Sequence, residues 1–90
     1  MRISRERKQI IAWRVAKDWI DFAVRILDEG KKPVKFSDHV GPAIHHELCE
    51  LCERKGDIEM LHGVSDRVKA EIRKMAIRSC KVQVSMLKKS

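Results

Sequence analysis

Hydrophobic residues recur with the spacing of an α-helix between Ser4 and Glu29. At 100° per residue, the apolar positions of this segment share about 200° of arc, which is wider than a surface helix needs. Ser4 can cap the start of the helix, and Gly30 can end it. The apolar positions are Trp13, Val15, Ala16, Trp19, Ile20, Phe22, Ala23, Val24, Ile26 and Leu27.

A second helix is predicted from Pro42 to Lys55, after the polar linker "KKPVKFSDHVG" at 31–41. Proline is favoured at the first position of a helix, and Gly56 can adopt the left-handed conformation just beyond the end. The apolar positions Val40, Ile44, Leu48 and Leu51 predict the buried face of this element.

A third helix is predicted after a loop at 56–63, with Ser65 as its N-cap. The seam positions alternate spacings of four and three, which is typical of a packed helix. The seam consists of Val68, Ile72, Met75, Ser79, Val82 and Met86. We therefore predict one all-α domain over residues 1–90, with a long N-terminal helix, a shorter middle helix and a long basic C-terminal helix.

Composition is consistent with a chain that folds around one core. The 90 residues are 43% hydrophobic and 37% charged, a mixture that suits a globular helical domain with a strongly charged surface. No apolar run approaches the roughly 20 residues that a membrane span requires. The N-terminus has no apolar segment of the secretory type, and three cysteines do not indicate a disulfide framework. We expect a cytoplasmic protein.

The formal net charge of +7 is unevenly distributed. Residues 1–35 carry +5, residues 36–62 carry −4 and residues 63–90 carry +6. The acidic middle segment should partly complement the two basic ends. The excess of basic residues at both ends nevertheless indicates a partner of opposite charge.

Basic side chains repeat along the C-terminal helix. Arg67, Lys74, Lys81 and Lys88 recur every seven residues, and Arg78 lies close to the same line. The row is about 30 Å long at 1.5 Å per residue. Cations of this kind commonly just solvate the outer face of a helix, but a row this long also matches a polyanion.

We therefore predict a non-enzymatic regulatory or accessory module that binds nucleic acid through phosphate contacts, largely independent of base sequence. No helix-turn-helix spacing is present, and the tryptophans are expected in the buried arc of the first helix. The alternative is a small inhibitor or adaptor that docks on an acidic protein, for example an enzyme that processes nucleic acid. The predicted binding residues are Arg67, Lys74, Arg78, Lys81 and Lys88, assisted by Arg2, Arg5, Arg7 and Lys8.

The stretch "HHELCELC" at 45–52 raises the question of a metal site. His45, Cys49 and Cys52 have i, i+4 and i+7 spacing, so their side chains can converge on one edge of a helix, and zinc prefers such ligands. A tetrahedral site needs a fourth ligand, which would have to be Cys80, His62 or His39, and nothing in the spacing demands any of them. Buried cysteine thiols are common without a metal, and we expect no cofactor.

Catalysis by Cys49 with His45 as the base is disfavoured. No third group is positioned to orient the histidine, and three helices of this size leave little room for a pocket. The wide arc of the first helix has a different implication. Part of it, or part of the third helix, can be covered by a second copy of the chain or by a partner. An interfacial membrane role for the third helix is less favoured, because its apolar side lacks aromatic anchors.

Overall fold

The computed structural model describes residues 3–54, 64 and 66–89, with side chains for all of these except 52–54 and 89. It contains three helices: α1 (Arg5–Asp28), α2 (Phe36–Arg54) and α3 (Asp66–Lys89). The predicted all-α, three-helix fold is confirmed. The predicted cap Ser65 and the predicted loop at 56–63 lie outside the described residues. Within the described part of the chain, no helix is long and apolar enough to span a bilayer.

Both predicted ends of α1 are confirmed. The Ser4 hydroxyl accepts a hydrogen bond from the backbone N–H of Arg7 at 3.1 Å, which satisfies one of the first N–H groups of the helix. Gly30 has a φ of +76°, and its N–H donates to the carbonyl of Leu27 at 2.9 Å, while the N–H of Lys31 donates to Ile26 at 3.0 Å. This pair of bonds is a Schellman motif, which requires the left-handed residue that glycine supplies.

The predicted start of α2 at Pro42 is wrong, because the helix begins six residues earlier, at Phe36. The N–H groups of Asp38 and His39 both donate to the carbonyl of Lys35, at 3.1 and 3.2 Å. Pro42 therefore lies inside the helix, where it removes one hydrogen bond. Burial offsets that cost: Val40 has no exposed surface, and Phe36 packs against the core.

Contacts between the helices show their relative directions. Lys8 pairs with Glu71, and further along both helices the Gln83 side chain donates to the carbonyl of Trp13, so α1 and α3 are parallel. Arg14 faces Glu47, whereas the later part of α1 lies beside the chain just before α2. Helix α2 is therefore antiparallel to both of its neighbours.

The core lies where the three helices meet. Its main cluster contains Ile3, Ile11, Ala12, Val15, Val40, Ile44, Leu48, Val64, Ile72 and Ala76. A second cluster toward the far end of α1 and α3 contains Ala16, Ile20 and Cys80, with Trp19 packed against it. The predicted buried positions Val40, Ile44 and Leu48 are confirmed, while Leu51 is only partly buried.

The expectation that the tryptophans and the whole apolar arc of α1 are buried is wrong in part. Trp19 is partly buried, but Trp13 is 45% exposed and Leu27 is 61% exposed, with Val24 also exposed. Helix α2 covers one side of the α1–α3 pair, and the side that carries Trp13 stays open. The arc is too wide for two neighbouring helices to cover.

Truncation of Ile72, which has no exposed surface, tests the placement of the core. Ile72→Val should lower the free energy of unfolding by roughly 0.5–1.5 kcal/mol, because it removes one fully packed methylene. Urea denaturation followed by circular dichroism measures the change. The control Val34→Ala alters an exposed side chain and should change stability by less than about 0.5 kcal/mol. Equal losses in the two variants would contradict this core.

Candidate nucleic-acid interface

Helix α3 has two chemically opposite faces. Ile72, Ala76 and Cys80 are buried. Gln83 joins them as a buried polar residue whose amide donates to the Trp13 carbonyl at 3.3 Å and to the Ser79 hydroxyl at 3.2 Å. A buried amide needs such partners to offset its desolvation. These contacts fix which side of α3 faces solvent.

The solvent-facing side carries the predicted row of cations, which we call the basic stripe: Arg67, Lys74, Arg78, Lys81 and Lys88. All five residues are exposed. Residues seven apart on an α-helix differ by only about 20° in direction, so the row stays on one face along the helix. The structure therefore brings these five residues together as a line rather than as a pocket.

Glu71 is an acidic residue of α3 that lies between the stripe residues Arg67 and Lys74. It accepts a hydrogen bond from Lys8 of α1 at 2.6 Å, and Arg67 approaches its other oxygen at 3.9 Å. The hydrogen bond from Lys8 and then the charge of Lys8 lower the pKa of the Glu71 carboxyl, with smaller contributions from Arg67 and Lys74. Lys8 is therefore held by an internal carboxylate, and Glu71 is kept ionised by it.

The remaining stripe residues have no such partner within the described residues. No ion pair there joins Lys74, Arg78, Lys81 or Lys88 to a carboxylate. Four of the five exposed cations on this helix face therefore lack a paired carboxylate among the described residues. An exposed row of like charges of this kind produces a positive electrostatic potential at the surface, which attracts anions.

The N-terminal cations that were grouped with the stripe separate in the structure. Arg5 and Lys8 line a cleft of about 640 Å³ together with Lys74 and Arg78. Arg7 instead lies on another side of α1, in a small depression with Arg14 and acidic residues of α2. Arg2 lies outside the described residues. Arg5 thus extends the basic surface next to α3, whereas Arg7 does not.

Glu47 and Glu50 of α2 lie beside α1 rather than beside the stripe. Glu47 lies 3.9 Å from Arg14, and its side chain is only 13% exposed. Burial and then the charge of Glu50 raise the pKa of the Glu47 carboxyl, and Asp18 acts in the same direction, against Arg14 and His46. The charge of Glu47 is therefore directed at α1, and no ion pair among the described residues joins α2 to Lys74, Arg78, Lys81 or Lys88.

The residues of the metal alternative are only partly brought together. The Cys49 thiol lies 3.6 Å from Nε2 of His45, a contact one helical turn apart. The side chain of Cys52 lies outside the described residues. Cys80 is buried in the second core cluster, where burial raises the pKa of its thiol. Among the described residues, no group of three potential ligands is positioned to hold a metal ion.

The periodicity of the sequence does not predict two features of the exposed surface around α3. Trp13 lines the cleft beside Lys74 and Arg78, although its place in the apolar arc predicted burial. Arg73 is exposed but lies off the seven-residue repeat that defined the stripe. The width of the apolar arc was the signal that part of it would stay open.

Comparison of the chain with protein-family models, with curated proteins and with solved structures finds no match. The functional assignment therefore depends on the geometry and electrostatics described above.

Replacement of Lys8 tests its pairing with Glu71. Lys8→Met should raise the pKa of Glu71 toward its usual value, because the largest influence lowering it is the hydrogen bond from Lys8. Since the fold favours ionised Glu71, this stabilisation is present above the unfolded-state pKa and is lost as pH falls through the folded-state pKa. NMR titration of the glutamate carboxyl signals measures the shift.

The control for that titration is Lys17→Met, which removes a cation of α1 that does not contact Glu71. It should leave the Glu71 pKa unchanged. An unaltered Glu71 pKa in Lys8→Met would contradict the pairing.

Proposed function

We propose that the protein is a non-enzymatic nucleic-acid-binding module whose basic stripe contacts backbone phosphates. The observation that carries the proposal is the exposure of Lys74, Arg78, Lys81 and Lys88 on one face of α3, with no carboxylate paired to them among the described residues. Lysine and arginine contacts to phosphate release condensed counterions, which is the main source of sequence-independent affinity.

The dimensions of the stripe suit a nucleic-acid backbone. From Arg67 to Lys88 the helix is about 30 Å long, which corresponds to roughly nine base steps of duplex at 3.4 Å per step. A straight α-helix can lie along or across a groove and contact phosphates at its margins. Arg5 at the neighbouring cleft adds a further cation on the same side of the molecule.

Base-specific recognition has little support in this arrangement. The indole N–H of Trp19 donates to the Val34 carbonyl at 3.1 Å, and the ring packs edge-on against Phe36 at 5.4 Å. Trp19 is therefore engaged within the fold. The stripe itself consists of lysine and arginine, the side chains that most often contact backbone phosphates.

The second candidate function is docking on an acidic protein. It is favoured by one observation: apolar side chains lie directly beside the cations. The cleft that Lys74 and Arg78 border is also lined by Trp13, Met75 and Val82. A partner with acidic and apolar side chains would match both the cations and the apolar lining of this cleft.

Salt dependence of duplex DNA binding tests the proposal. Five stripe cations predict a slope of about −4.5 in log affinity against log salt, from about 0.9 per phosphate contact. Lys74→Gln with Lys81→Gln should weaken binding and reduce the slope to about −2.7, because two contacts are removed. Fluorescence anisotropy with a labelled duplex of unrelated sequence measures both quantities.

The matched control is Lys32→Gln with Lys35→Gln, which removes the same net charge from exposed positions outside the stripe. Its slope should stay near about −4.5. If the control reduces the slope as much as the stripe variant does, binding depends on net charge rather than on the stripe. Absence of binding to duplex DNA at low salt would overturn the proposal and leave the acidic protein partner as the better candidate.

A further inference from the structure

Exposed hydrophobic side chains are concentrated on one side of the α1–α3 pair. We call this surface the apolar patch: Trp13, Val24 and Leu27 of α1 with Val82, Met86 and Leu87 of α3. Each of these side chains is close to half exposed or more. The two other large exposed hydrophobic residues of the described chain lie in other depressions, Ile10 beside Arg7 and Glu47 and Val34 beside Pro42. Such a concentration is typical of an interaction surface rather than of scattered apolar residues.

The patch is distinct from the face that α2 covers. A shallow depression of about 590 Å³ runs along it between α1 and α3, bordered by Trp13 and Val24 on one side and by Met86 and Leu87 on the other. Helix α2 packs through Val40, Ile44 and Leu48 into the main core cluster, on the opposite side of the α1–α3 pair. No described segment of the chain is positioned over the depression.

The charges at this depression differ from those of the stripe. Its charged lining residues are Lys17 and Asp21, one cation and one anion separated by one helical turn of α1. The cleft beside Lys74 and Arg78 instead carries four cations against the single acid Glu71. An acidic partner would bind the basic cleft in preference to this depression. Because the depression carries one cation and one anion, a second copy of the chain can place its own anion opposite the cation and its own cation opposite the anion.

We propose that the apolar patch is the interface of a two-fold symmetric homodimer. In such an interface the same surface is used by both copies, so that any residue i that contacts residue j is matched by j contacting i. With the two α1 helices antiparallel across the axis, Lys17 of each protomer lies opposite Asp21 of the partner subunit. The same symmetry joins the two apolar patches and buries both Trp13 side chains.

The α1–α3 pair offers the patch one long face of a molecule that measures 41 × 23 × 20 Å. Burial of about 800 Å² per partner, as in a standard complex, would require the patch together with the polar residues that surround it on that face. Aromatic side chains and methionine are enriched at the centres of interfaces, and Trp13 and Met86 supply both types at this depression.

The salt dependence of association distinguishes a homodimer from a complex with an anionic partner. Each copy carries a net charge of +7, so two copies repel one another. Salt shortens the range of this repulsion, because the screening length is about 10 Å at 0.1 M and falls as the salt concentration rises. Dimerisation should therefore strengthen as salt is raised. Binding of nucleic acid or of an acidic protein should weaken under the same change.

Sedimentation equilibrium of the full chain at several protein and salt concentrations tests the proposal. We expect a monomer–dimer equilibrium whose dissociation constant falls on raising salt from about 0.05 M to about 0.3 M. Trp13→Ala should raise that constant by about 30-fold or more, the change typical of a central aromatic residue. Met86→Ser should also weaken the dimer, and because Met86 is 59% exposed the monomer should keep its circular dichroism spectrum. The control Val34→Ser should leave dimerisation unchanged.

Exchanging the charges of Lys17 and Asp21 distinguishes a second copy of the chain from an acidic partner at the apolar patch. Lys17→Asp alone and Asp21→Lys alone should each weaken self-association, because each places like charges opposite one another across the axis, and the double exchange should restore it. An acidic partner would instead be weakened by Lys17→Asp, strengthened by Asp21→Lys and little changed by the double exchange. A chain that sediments as a monomer at all salt and protein concentrations would overturn the homodimer. Because none of these variants alters a stripe residue, that result would leave phosphate binding by the stripe unaffected.

Discussion

The packing of α1 along α3 is the interaction on which the rest of the structure depends. Ala12, Ala16 and Ala76 are almost fully buried, and these short side chains line the core that the two parallel helices share. Gln83 completes the contact by donating to the Trp13 carbonyl. Because this contact sets the rotation of α3 about its axis, it determines which side chains of α3 face the core and which face solvent.

The positions of two exposed surfaces follow from that rotation. The basic stripe lies opposite the buried face of α3, and the apolar patch lies beside it, along the open edge of the α1–α3 pair. Helix α2 closes only the other edge, and its acidic residue Glu47 is directed toward Arg14. The negative charge of Glu47 is therefore used within the fold, while most of the positive charge of α3 among the described residues remains exposed. A dimer through the patch would carry two stripes, one on each side of the interface.

The existence and order of the three helices could be predicted from periodicity and capping. Ser4 and Gly30 marked α1 correctly because capping depends on local backbone geometry, which local sequence determines. Pro42 misplaced the start of α2 because the burial of Val40 and Phe36 is a tertiary effect that outweighs the local preference of proline for a first turn. The exposure of Trp13 could not be predicted either, since periodicity identifies an apolar arc but not how much of it the neighbouring helices cover.

For the candidate site, the seven-residue repeat predicted that the stripe cations share one face of α3. It did not predict which basic side chains pair with carboxylates of the same chain. Nothing in the sequence indicated that Lys8 would contact Glu71, 63 residues away, or that Arg7 would lie on a different side of α1 from Arg5. Contacts of this kind depend on how the helices are rotated against one another. Lys8 is paired with Glu71 and Arg7 lies on another side of α1, so the unpaired cations of the basic surface are centred on α3.

The most direct measurement is an NMR titration that follows the lysine Nζ and arginine Nε signals of the full chain as duplex DNA is added at low salt. The signals of Lys74, Arg78, Lys81 and Lys88 should shift progressively, while those of Lys8, Lys32 and Lys35 should change little. Shifts spread evenly over all basic side chains, or confined to residues outside α3, would contradict the assignment of the binding surface to the exposed face of this helix.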